Sequence, residues 1–96
     1  MRIEREGMSV NTVRIPSPLR DYTDGAARIS ASGATVAEIL GSIERQHRGM
    51  RFRMIDEQQR IRAHIRIFVA TREAHDLQQP VAPKEHVHLL CALSGG

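Results

Sequence analysis

Short runs of alternating apolar and polar residues fill most of this chain, and one segment replaces that rhythm with a helical period. Val10, Thr12 and Arg14 alternate with Asn11, Val13 and Ile15, a β-branched run that predicts a strand with two partly buried faces. Pro16-Ser17-Pro18 stops it, because proline cannot keep donating to a ladder. Residues 18–25 read as a turn-rich connection. Ala27, Ile29 and Ala31 then alternate with Arg28, Ser30 and Ser32, which predicts a second strand in a hairpin with the first. Thr35-Val36-Ala37-Glu38 is a capping box, in which the threonine hydroxyl caps free amides while the glutamate reaches back. Val36, Ile39, Leu40 and Ile43 follow as one apolar stripe. Arg45, His47 and Arg48 suit the negative end of a helix dipole, and Gly49 supplies a stop, so a helix is predicted over about 35–48. Gly41 lies inside it at a cost of up to ~1 kcal/mol, which suggests close packing on a sheet.

Met50, Phe52, Met54 and Ile55 form an apolar link that reads equally as a helical turn or an extended piece, and Asp56 to Arg60 is a polar turn. Ile61, Ala63, Ile65, Ile67 and Val69 alternate with Arg62, His64, Arg66 and Phe68, predicting a half-buried strand with a basic outer face. Residues 71–85 are polar and broken by Pro80 and Pro83, with room for one short strand. Val87, Leu89, Cys91 and Leu93 alternate with His88, Leu90 and Ala92 in a last strand, and Ser94-Gly95-Gly96 ends the chain with almost no side-chain bulk. A hairpin, a helix and returning strands make a two-layer α+β sandwich. The expected fold is the β-grasp: a mixed sheet of four to five strands, one main helix across one face, and the final strand inserted beside the first.

Ninety-six residues suffice for one domain. The expected boundaries are a loose tail over 1–8, a domain over 9–92 and a Gly-Gly tail over 93–96, with Met8 as good a start as Met1. Aromatics make up 3% of the chain, so the core must be aliphatic, around Phe52, Phe68 and Tyr22. A single cysteine, Cys91, excludes an internal disulfide, a Cys-only zinc site and a four-cysteine cluster within one chain. No apolar stretch approaches the ~20 residues that span a bilayer. The first seven residues lack an apolar signal region, so a reduced, cytoplasmic setting is expected. The net charge of +3 is unevenly spread. Residues 45–66 hold seven arginines against Asp56 and Glu57, a local +5, which leaves the remainder at −2. A single patch, with Phe52 as its one aromatic besides histidine, reads as a solvated face open to an acidic protein partner more than as a nucleic-acid site.

The residues Val13-Arg14-Ile15-Pro16, Leu19-Arg20, Gly33-Ala34-Thr35-Val36, Asp56-Glu57 and Ile61 to Val69, with Val87 to Gly96, make a recognisable set. Over about 9–96 the chain resembles the MoaD/ThiS family of ubiquitin-like sulfur carriers, in the pattern of its longer, CysO-type members. It departs from that pattern at Ala70-Thr71-Arg72, where relatives usually carry Asn or Gly. It departs again at Pro83 to His86, and at Cys91, where proline is common. The resemblance implies that the Gly96 carboxylate is the working group. A MoeB/ThiF-like enzyme, holding ATP and Mg, would adenylate it. Sulfide from a sulfurtransferase or other source would convert it to a thiocarboxylate. A sulfur-accepting synthase would then consume that sulfur, in cysteine-type or specialised biosynthesis. Leu93, Ser94, Gly95 and Gly96 would thread the partner's active site, the chain acting as co-substrate with no bound cofactor and no catalytic cluster.

Arg62, His64, Arg66 and Phe68 on the outer face of the 61–69 strand, with Leu90, are the expected docking residues; a solvated edge is the alternative for the strand and core packing for Leu90. His86 and His88 form at most half of a metal site, so no metal is expected. Cys91 reads as a small buried hydrophobe rather than a reactive thiol. Competing functions are a ubiquitin-like modifier joined to lysines, a molybdopterin synthase small subunit or thiamine sulfur carrier, and a plain β-grasp binding module.

Overall fold

The computed structural model describes residues 10–92. The strands are β1 (Asn11–Arg14), β2 (Arg28–Ala31), β3 (Ile65–Val69), β4 (Arg72–Ala74) and β5 (Val87–Cys91), and the helices are α1 (Val36–Gln46) and α2 (Met50–Met54). The sheet order is β2-β1-β5-β3-β4. β5 is therefore central, parallel to β1 and antiparallel to β3, and all other pairings are antiparallel. α1 covers one face. Val36, Ile39, Leu40 and Ile43 bury against Val13, Ile67, Val69 and Leu89. This is the β-grasp expected from the pattern, with the final strand beside the first.

The α1 stripe forms because four apolar side chains recur at i, i+3, i+4 and i+7. Thr35 caps it, its Oγ1 accepting the Glu38 amide at 3.2 Å. The reciprocal half of the capping box reaches one residue further back than expected, with Glu38 Oε1 accepting the Ala34 amide at 2.8 Å. The amides of Val36 and Ala37 donate to the carbonyls of Gln79 and Leu77, at 3.0 and 2.9 Å. The polar stretch after β4 thus satisfies the helix's orphan donors. Asn11 has the same connecting role from the sheet. It is buried, and its Nδ2 donates to the carbonyls of Ala82 and Glu85.

Several expectations are corrected. The core side of β1 is Asn11, Val13 and Ile15, while Val10 is exposed. The 18–25 connection is mostly a 3-10 helix, Ser17–Thr23, that buries Leu19. α1 ends at His47, and Gly49, at φ 94°, instead opens α2. Gly41 does not face the sheet: a Cβ there would meet only Arg45 Nη1 at 3.9 Å. The close approach is at Gly33, where a Cβ would lie 2.5 Å from Glu38 Cβ and 2.8 Å from helix backbone. Of the two readings of the link after Gly49 the helical one holds, so Met50 and Met54 bury on one face and Phe52 is 54% exposed on the other. The core is aliphatic and methionine-rich, without Phe52. β3 begins at Ile65 rather than Ile61, because Ile61 bridges Ile55 and the Ile65 amide closes a turn on Arg62.

Ala70, in the β3–β4 turn, sits at φ 56°. An L residue there carries a Cβ–carbonyl clash of about 1–2 kcal/mol that glycine lacks. Ala70→Gly is expected to raise stability by about 0.5–1 kcal/mol in urea titration, since relief of the clash outweighs the glycine's extra unfolded-state entropy.

Carboxylates brace the turns. Glu44 accepts the amides of Gly49 and Arg51 at 3.0 and 2.9 Å, which holds its pKa below the usual 4.5. Asp56 is lowered first by the Arg60 amide, and Glu85 first by the Ala82 amide and then by Arg72. Depressed folded values stabilise the ionised fold above the unfolded pKa, and that contribution is lost as pH falls through the folded values. The urea midpoint is therefore expected to fall between about pH 6 and pH 3, and Glu44→Gln to flatten that fall.

Candidate functional site

β5 delivers the chain's end from the middle of the sheet. Beyond Cys91, the Ala92 amide still donates to the His64 carbonyl at 2.7 Å. Leu93, Ser94, Gly95 and Gly96, the expected working segment, lie outside the described residues, as does the expected tail over 1–8.

The expected docking residues do not form one face. Ile65, Ile67 and Val69 point into the core, so Arg66 and Phe68 emerge on the outer sheet face. There they stand opposite Leu90 and His88 of β5. Leu90 is 47% exposed, and Arg66 pairs with Glu73 of β4 at 3.3 Å. Arg62 and His64 belong elsewhere, because the chain turns before β3 starts. They line a groove of about 490 Å³ with Leu19, Phe52, Cys91 and Ala92, at the point where the last four residues begin. Arg62 Nε donates to the Phe52 carbonyl at 2.8 Å, and its guanidinium carbon lies 4.5 Å from the Phe52 ring centroid. Arg53, also on this groove, lies 5.6 Å from the Tyr22 ring centroid.

Phe52 and Arg53 are the groove residues that pattern reading missed. The available signal was Met50 and Met54 at i and i+4: a helical reading buries both and turns the residue between them outward. Cys91 packs against the core margin, and burial pushes its thiol up, so the nucleophilic thiolate is scarce at neutral pH. The rings of His86 and His88 are 6.3 Å apart, and the described residues hold no group of three or more potential metal ligands. Among the described residues no helix is long and apolar enough to cross a membrane.

A β-grasp fold whose central strand feeds a Gly-Gly end defines the class of ubiquitin-like proteins. Comparison with known proteins makes the assignment more particular. No protein-family model matches the chain. The sulfur carrier protein CysO of Mycobacterium tuberculosis is 30% identical over 90 residues, covering 88% of this chain and 97% of that protein. A chain of the Amycolatopsis orientalis BexX/CysO complex superposes with a TM-score of 0.83 at 31% identity, covering 90% of this chain and 99% of that one. SAMP1 of Haloferax volcanii shares the fold, with a TM-score of 0.77 at 19% identity over 92% of this chain and 100% of that one. The chain belongs to the CysO-like sulfur carriers of the MoaD/ThiS family.

Proposed function

We propose that this carrier bears its sulfur on the carboxylate of Gly96. A carboxylate is a poor acyl donor. It becomes a good one when its oxygen attacks the α-phosphorus of ATP and pyrophosphate leaves, a step assigned to a MoeB/ThiF-like enzyme that holds the ATP and Mg. Hydrosulfide, or an equivalent sulfur donor, then attacks the acyl carbon and AMP leaves, giving a thiocarboxylate. The thiocarboxylate sulfur then attacks an electrophile held by a sulfur-accepting synthase, in cysteine-type or specialised biosynthesis, and water cleaves the resulting acyl–sulfur bond, returning the carrier as the free acid.

The observation that carries this reading is the position of β5: the central strand of the sheet ends at Cys91, with Ala92 alone between it and Leu93-Ser94-Gly95-Gly96 in the sequence. Four extended residues span at most ~14 Å, enough to enter a closed active site while the domain stays outside. Glycine accepts the dihedrals that a narrow channel imposes. Cys91 is a weaker sulfur acceptor, since its thiol is held protonated. Family membership, and a relative crystallised in a complex with BexX, support a chain that works by docking on other proteins.

The test is intact mass after incubation with a MoeB/ThiF-like enzyme, ATP and a sulfur source. The expected result is an ATP-dependent gain equal to sulfur minus oxygen, located on the C-terminal peptide. No gain with such an enzyme, or ladders of lysine conjugates in its place, would overturn the proposal.

A further inference from the structure

We propose that the groove at the root of the C-terminal segment is a second anchoring point for the enzyme that adenylates Gly96, and that it receives a carboxylate side chain of that enzyme on the Arg62–Phe52 pair. The inference rests on the function proposed above and adds the place and chemistry of the docking contact.

Reach comes first. Ala92 lines the groove, and residues 93–96 extend at most ~14 Å beyond it. Any protein that takes the Gly96 carboxylate into its active site must therefore come within about 14 Å of this groove. The short tether thus selects the occupant: the enzyme holding the tail, rather than a second copy of this chain.

Charge comes second. Among the described residues the ion pairs are Arg66–Glu73 and Arg72–Glu85, so neither Arg53 nor Arg62 is paired with a carboxylate. Both line the groove beside His64; Glu57 is the one carboxylate in the lining, and Asp56, held by the amides of Gln58 and Arg60, lies close enough to feel the Arg62 charge. The local balance favours an anionic visitor. An Asp or Glu side chain matches the guanidinium fork.

Preorganisation comes third. Arg62 is fixed at its Nε by the Phe52 carbonyl, and its guanidinium lies over the Phe52 ring. That arrangement leaves its terminal N–H groups without a hydrogen bond to a described residue and spends little side-chain entropy on binding. Phe52, 54% exposed, adds apolar area beneath the charge. An arginine held on an exposed aromatic is the composition of an interface hot spot. The outer sheet face offers less, because its Arg66 is already neutralised by Glu73.

The experiment is steady-state adenylation of chain variants by a MoeB/ThiF-like enzyme, followed by pyrophosphate release, with thermal melts to confirm folding. Arg62→Glu is expected to raise the KM for the carrier at least about tenfold while kcat stays within about twofold. Phe52→Ala is expected to raise KM less, and Arg62→Lys, which keeps the charge and loses the fork, to fall between the wild type and Arg62→Glu. Arg66→Ala should match the wild type. Salt should raise the wild-type KM and change that of Arg62→Glu less. Wild-type KM values for both Arg62→Glu and Phe52→Ala would overturn the inference and leave the Gly96 chemistry standing. A shift from dimer to monomer in Arg62→Glu, at unchanged KM, would give the groove to a second copy and also overturn it. Failure of the wild type to be adenylated would remove both proposals together.

Discussion

Deleting Gly95 and Gly96 is expected to abolish the ATP-dependent mass gain and to leave the melting transition where it was. The two outcomes separate because the buried core of the described residues runs from Val13 to Leu89, ahead of the deleted pair. The loss of function has two physical causes. The carboxylate retreats by about 7 Å, the length of two extended residues. It also moves onto Ser94, whose Cβ narrows the dihedrals open to the reacting end. Gly95→Val separates these causes, because it keeps the length and the charge. Misplacement of reacting atoms by an ångström costs on the order of a hundredfold, and a drop of that size in pyrophosphate release is expected. Cys91→Ser should retain the full gain. A truncated chain that still gained sulfur would place the sulfur elsewhere and overturn the carboxylate reading.

The second large effect is on stability and has opposite signs at two glycines. Gly33→Ala puts a Cβ within 2.8 Å of the backbone of Glu38 and Ile39. Those atoms belong to the first turn of α1, pinned by the Thr35 cap and by the Leu77 and Gln79 carbonyls, so they cannot move aside cheaply. Overpacking of this kind costs about 3 kcal/mol, or roughly 15 °C in Tm for a domain of this size. Gly41→Ala meets only the Arg45 guanidinium at 3.9 Å, an ordinary contact, and gains helix propensity, so it should stabilise by about 0.5–1 kcal/mol. Circular dichroism melts of both variants decide the matter. Equal shifts, or a tolerated alanine at position 33, would contradict the packing described.

The contrast between these glycines shows what the residues disclosed and what they withheld. Periodicity identified α1, because four aliphatic side chains at helical spacing have one favourable burial. Alternation identified β1, β2, β3 and β5 and the residues they turn to the core, since a one-residue slip would turn Val13, Ile67 or Leu89 to solvent. Local pattern could not say which glycine faces a neighbour. That depends on residues 33 and 38 meeting across a turn. The same limit divided the docking residues. Arg62 and His64 share a parity with Arg66 and Phe68, so alternation alone joins them on one face. The Ile55–Ile61 bridge and the turn from Arg62 to Ile65 break the register before β3 and move them to the groove. Phe52 was misplaced for a related reason, an apolar residue on a helix of only five residues. The terminal Gly-Gly lies outside the described residues, so its reading rests on the sequence and on family membership.

The position of β5 also has a mechanical meaning. It is gripped on one flank by β1, running parallel, and on the other by β3, running antiparallel. A pull on the chain's end therefore loads hydrogen bonds on both sides together, in shear. An edge strand such as β4 would instead unzip rung by rung. An enzyme that draws the end into its active site can lean on the domain without unravelling it, and an unfolding protease that seizes the same end must break its most cooperative element first.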